Sequence, residues 1–196
     1  YLTAFTTANL GRLFVNTMIV GLVSAVIVMI VGSIYGAISG LIGGKVDIVM
    51  MRVVDIIYSV PEILLIVVIK MVISEPLQNL IDTVPMFHGL QKIGSGLIAI
   101  FIVYGCLYWV GMARIVRGQI LQLKTLDFVT AAEALGCGRA TMIKEHLLPN
   151  CIGQLIATVM LQIPSAIFTE AFLSYLGIGV SAPMASLGSL TSEALN

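Results

Sequence analysis

Four stretches of this chain are apolar for longer than a soluble core element normally is, and they limit what it can fold into. They run over about 14–42, 48–73, 93–120 and 151–175. Crossing a hydrocarbon layer of ~30 Å takes about 20 helical residues, and each stretch supplies that many. None shows the apolar–polar alternation of a membrane barrel strand, so helices are expected. Charged residues make up only 10% of the 196, against about 25% in soluble domains. A water-soluble domain of this size could not cover so much apolar surface, whereas lipid makes cover unnecessary. The expected fold class is all-α: a polytopic transmembrane helical bundle, one membrane domain over residues 1–196.

Charge distribution orients the bundle. Ten basic and ten acidic residues give a net charge of 0, so no global field points to a nucleic-acid partner. Lys45 and Arg52 flank the first connection, and Arg114, Arg117, Lys124, Arg139 and Lys144 surround the long polar connection 121–150. Arg12 and Lys92 lie on the opposite side. Seven against two places the long connection in the cytoplasm by the positive-inside rule. Four crossings then put both ends of this stretch outside. Because the chain opens on Tyr1 and shows no leader, it is expected to be truncated at both ends, with at least one more span at each. Residues 74–92, with Glu75, Pro76, Asp82, Pro85 and His88, are expected to connect the second and third spans. Lys70 is expected to snorkel to the headgroups.

Polar and small residues inside the spans are the candidates for packing or passage. Gly32, Gly36 and Gly40 recur every four residues and let another helix approach closely. Static packing is the simpler reading, a face in a moving bundle the functional one. Asp55, Ser59 and Glu62 fall at i, i+4 and i+7 and would share one helical face. Ionisable groups at membrane depth usually face a bundle interior or a water-filled path, so the three are candidate lining of a translocation path. The competing reading for Asp55 is a local pair with Arg52. Glu170 is assigned equally to interhelical packing and to the path. Tyr104, Tyr108 and Trp109 are expected to pack. Cys106, Cys137 and Cys151 are read as small hydrophobes. His88 and His146 lack metal-ligand spacing, and no phosphate loop is present. No catalytic residue, metal or bound cofactor is expected.

The connection 121–150 is the most informative segment. Phe128, Ala131, Ala132 and Leu135 recur at i, i+3, i+4 and i+7, an apolar helical face with only methyl groups at its centre. Gly136 and Gly138 would end that helix. A second short helix is expected over about 140–147, with Pro149 marking a break before the last span. Two short helices between two spans make a docking knob.

The segment resembles the cytoplasmic loop of permease subunits of binding-protein-dependent ABC importers. That loop carries Glu-Ala-Ala, then Gly after three residues, and later Leu-Pro. Here Thr130-Ala131-Ala132, Gly136 and Leu148-Pro149 stand in those places, with Thr130 for the Glu. Gly43-Gly44-Lys45-Val46-Asp47 with Arg52, Asp55 and Pro61 is similar to the dipeptide/oligopeptide group. So are Glu170 to Gly179, Pro183 and Ser186-Leu187-Gly188, the group often having Trp at Leu187. Gly11-Arg12 is similar to a Gly-Arg-Asp element in which Leu13 replaces the Asp.

The resemblance implies a type I importer permease of a bacterial inner membrane, of whose usual six spans this chain would hold the second to fifth. It implies a second homologous permease, an external solute-binding protein, and two cytoplasmic ATPase subunits that hold ATP and Mg. Phe128, Thr130, Ala131, Ala132, Leu135, Gly136, Leu148 and Pro149 would form the contact with an ATPase. Oligopeptides or dipeptides are the implied cargo, with nickel and glutathione carried by other members. The alternative is a self-contained carrier or channel whose intramembrane acids couple to protons or cations.

Overall fold

The structure, a computed structural model, describes residues 10–84 and 95–179. The expectations attached to Pro85, His88, Lys92, Pro183, Ser186, Leu187, Gly188 and the side chain of Arg12 lie outside the described residues.

Among the described residues the elements are all helical. Helix α1 (Leu10–Ile42) contains the first expected span, Phe14–Ile42. Gly43 and Gly44 follow with φ of 67° and 57°, left-handed backbone that side chains with a Cβ adopt at a cost. They turn the chain into α2 (Gly44–Tyr58). Helix α3 (Glu62–Thr83) is the second membrane-capable helix, and its 22 residues reach about 33 Å at 1.5 Å per residue. The third is formed by α4 (Ser95–Leu107) and α5 (Trp109–Leu123), separated only by Tyr108. After α6 (Asp127–Ala134) come α7 (Arg139–Thr141), a π-wound segment Met142–Leu147 and α8 (Leu148–Asn150). The last span is α9 (Ile152–Tyr175).

Two boundaries differ from expectation. The apolar run 48–73 is not one helix, because the chain breaks at Ser59–Pro61. Pro61 has no amide to donate and disfavours helical backbone at Val60; the Ser59 hydroxyl closes α2 on the Ile56 carbonyl at 2.7 Å. Only the half after the break qualifies as a span. Conversely, residues 74–83 are helix, not connection: α3 runs through Pro76 to Thr83. Hydropathy locates apolar mass but cannot see a missing amide, and a proline inside a long helix costs a bond without having to end it.

The chain divides into two compact units. Of the described residues, one comprises 10–25, 62–84, 95–106 and 162–179. Its core holds Val20, Ile66, Ile81, Leu97, Ile100, Val103, Tyr104, Ala166 and Leu173. Gly21 on α1 leaves space for Ile163 and Ile167 of α9, and the Tyr104 hydroxyl donates to the Ala166 carbonyl at 2.8 Å.

The other unit comprises residues 26–61 and 107–161. Here α1 lies directly against α5. A Cβ on Gly32 would stand 2.5 Å from the Met112 Cβ, one on Gly36 2.9 Å from the Val116 Cβ, and one on Gly40 2.9 Å from the Ile120 Cβ. The glycine stripe is therefore a close-packed helix face. Val54 of α2 packs with Trp109, Val110 and Ala113. The Tyr35 and Trp109 rings stand 4.5 Å apart, and the Tyr35 hydroxyl donates to the Met50 carbonyl at 2.8 Å. Tyr104, Tyr108 and Trp109 are all buried, in keeping with a packing role.

Candidate functional site

The knob is built by α6 and the segment 139–150. Helix α6 ends on Gly136, whose φ is 81°. The Gly136 amide donates to the Glu133 carbonyl at 2.9 Å, and the Cys137 amide to the Ala132 carbonyl at 3.0 Å. This paired reversal satisfies carbonyls that the helix end would leave open. Gly138 does not end the helix. Its backbone is extended (φ −70°, ψ 153°) and precedes α7. Pro149 does not break the chain either; helix continues to Asn150, and Cys151 alone interrupts it before α9. Pro149 lacks the amide that an α-turn would need, and the wider π turn lies directly before it. The Asn150 side-chain amide donates to the His146 carbonyl at 2.6 Å.

The expected apolar face of α6 is divided. Val129 and Ala132 are buried, as are Met142 and Leu147 of the π-wound segment, on which α6 packs. Phe128, Thr130 and Ala131 are exposed, and Leu135 is 90% exposed. Gly136 and Pro149 are also exposed, while Leu148 is half-buried. Ala132 thus belongs to the inside of the knob, and the available surface is Phe128, Ala131 and Leu135.

At the root of the knob lies a charge cluster that sequence reading missed. Asp47, in the first turn of α2, accepts from Arg117 of α5 at both oxygens, 2.5 Å from Nε and 2.5 Å from Nη2. Its Oδ1 also accepts from the Ser39 hydroxyl of α1 at 2.5 Å. The Arg117 hydrogen bond holds the Asp47 carboxyl below its ordinary range; burial opposes this and the Ser39 bond adds to it. Lys124, just past α5, donates to the Gly40 carbonyl at 3.1 Å. The signal available in the sequence was a buried-type position carrying Asp beside a glycine turn, without any indication of its partner 70 residues away.

Asp55 does not pair with Arg52. Its Oδ1 accepts from Arg114 Nη2 at 2.8 Å, and the Arg114 guanidinium lies 4.3 Å over the Tyr58 ring. Both side chains are well exposed, so this pair is worth at most about 1 kcal/mol. Asp55, Ser59 and Glu62 share no continuous helical face, because α2 ends at Tyr58 and α3 begins at Glu62.

In the first unit, Lys70 and Glu170 are both buried. Lys70 does not snorkel. Its ammonium donates to the Gly179 carbonyl, which the left-handed Gly177 (φ 76°) folds back beside Ser174. The Ser174 hydroxyl donates to Glu170 Oε1 at 2.7 Å, and Glu170 Oε2 has no hydrogen-bond partner among the described residues. A cavity of about 310 Å³ adjoins Lys70, lined also by Ser74, Ser95 and Gly177.

Residues 30–195 match the family model described as binding-protein-dependent transport system inner membrane component. The chain is 39% identical over 199 residues to the oligopeptide transport system permease protein OppC of Bacillus subtilis, covering 97% of this chain and 59% of that protein. It is 38% identical to the dipeptide transport system permease protein DppC of the same organism, covering 97% and 56%. With OppC of Haemophilus influenzae the identity is 38%, over 95% and 53%. The chain spans a little over half the length of these relatives.

Proposed function

Because this chain belongs to the family of binding-protein-dependent transport system inner membrane components, we propose that it forms part of the permease subunit of an ATP-driven peptide importer. The relatives are permeases for oligopeptides and dipeptides, and peptides are accordingly the cargo class. ATP is hydrolysed on separate cytoplasmic ATPase subunits, a second permease completes the path, and an external binding protein delivers cargo. The membrane is a bacterial inner membrane, with residues 124–150 on the cytoplasmic side. The comparisons favour this reading over a self-contained carrier or channel.

One observation carries the coupling assignment. The knob presents Phe128, Ala131 and a 90% exposed Leu135 on a support held together by the buried Val129, Ala132, Met142 and Leu147. Exposed apolar side chains grouped on one face of a folded support mark a surface for contact with another protein. Motion of the ATPase pair would pass through it to the spans and shift them between inward- and outward-open states.

Leu135→Arg and Ala131→Arg test this by placing charge on the outer surface. Both should abolish co-purification of the ATPase subunits while leaving the permease folded. Normal co-purification of both variants would remove the knob from the contact. Ala132→Arg is unsuited, since it would disrupt the knob's interior.

A further inference from the structure

We propose that Asp47 and Arg117 form a positioning clamp that makes α2 follow the movement of the knob, so that ATP turnover is converted into transport; this rests on the importer reading above. The joint between α1 and α2 consists of two left-handed glycines, Gly43 and Gly44. Glycine is conformationally permissive, so by itself this joint would let α2 change direction while α1 moved. The joint between α1 and α5 is the opposite. Gly32, Gly36 and Gly40 let the α1 backbone sit directly on the side-chain roots of Met112, Val116 and Ile120 of α5, and packed interfaces of this kind transmit displacement instead of absorbing it. Helix α5 leads directly into the knob, whose root is held to α1 by Lys124 on the Gly40 carbonyl.

A push on the knob therefore moves α5 and α1 together. Further along, α2 is held by the Val54 packing and the Tyr35 bond to the Met50 carbonyl; its first turn is tied to α1 and α5 by the carboxylate of Asp47, gripped by both Arg117 bonds and by Ser39. The Asp47 side chain is 11% exposed and that of Arg117 31%, so the carboxylate is shielded from water while the guanidinium stays partly open to it. A two-bond guanidinium–carboxylate pair also fixes angle as well as distance. Asp47 and Arg117 are separate from the proposed contact surface of Phe128, Ala131 and Leu135; they act through the position of α2.

The test uses the full-length permease purified with its partner permease and ATPase subunits, reconstituted in vesicles with the binding protein. Uptake of radiolabelled tetra-alanine is measured against ATP consumed. Asp47→Asn and Arg117→Gln should each lower peptide moved per ATP by roughly 5-fold or more, with the ATPase subunits still bound. The double variant should be no worse than either single one, because the two residues make one link. Arg117→Lys keeps the charge but not the fork, and should fall between the wild type and Arg117→Gln even if the neutral variants fold poorly. Arg114→Gln, which removes the exposed Asp55 pair and the stacking on Tyr58 but leaves Asp47 and Arg117 in place, should behave as wild type. Unchanged coupling in the Asp47 and Arg117 variants, fully retained coupling in Arg117→Lys, or additive losses in the double variant would each overturn the clamp. Absence of peptide-stimulated ATP turnover in the wild-type assembly would instead sink the importer reading.

Discussion

Asp47 shows how one carboxylate can organise three helices. It sits in the first turn of α2, where the helix dipole already favours negative charge, and it collects donors from α1 and α5. Its folded pKa is held below the ordinary aspartate value of 3.8, first by the Arg117 hydrogen bond. Ionised Asp47 therefore contributes stability that is fully present above the ordinary value and disappears as pH falls through the lower folded value. In detergent, the difference in melting temperature between wild type and Asp47→Asn should stay constant from pH 7 to about 4 and close only in stronger acid. A difference that closes near pH 6 would contradict the pairing. Lys70 is the contrasting residue. A lysine near the end of an apolar run would normally reach for the headgroups, but here a backbone carbonyl folded back by Gly177 takes its proton donor inside the protein.

Among the elements, the α1–α5 contact sets the tightest steric limit. The stripe Gly32, Gly36, Gly40 works because the neighbouring backbone and Cβ atoms occupy the space a methyl group would need. Gly36→Ala should lower stability by about 1–3 kcal/mol, measured by thermal unfolding in detergent, whereas Gly111→Ala, which meets nothing within 4 Å, should be neutral or slightly stabilising. Equal effects of the two would mean that α1 and α5 do not touch as described. The knob obeys the same separation of faces on a smaller scale. Helix α6 spans only eight residues, too few to be stable in isolation, so Val129 and Ala132 must be buried to hold it. Phe128, Ala131 and Leu135 are left for something else.

At the scale of the whole molecule, the chain's connections can be tested for sidedness. Asp47–Arg117 and Lys124–Gly40 hold the α1–α2 turn beside the root of the knob within one unit. Single cysteines at Lys45 and Lys144, in a background of Cys106→Ser, Cys137→Ser and Cys151→Ala, should therefore react with an impermeant thiol reagent from the same side of the membrane. That side should be the one exposed in inverted vesicles. Labelling from opposite sides would break the described unit; labelling of both from outside would reverse the proposed orientation.

By itself the sequence determined the all-helical membrane class, since uninterrupted apolar length leaves a chain few other solutions. It also determined the glycine stripe, and the end of α6 at Gly136, because these depend on local chemistry and on spacing along one helix. The start of the second span is local too, since the missing amide at Pro61 interrupts the helix whatever apolar run surrounds it, although hydropathy does not register it; the tertiary structure decided the rest. It alone decided that Arg117 rather than a near neighbour answers Asp47, that Arg114 rather than Arg52 answers Asp55, and that Lys70 turns inward. Each of those is a choice of partner, and a partner far along the chain leaves no trace in local periodicity.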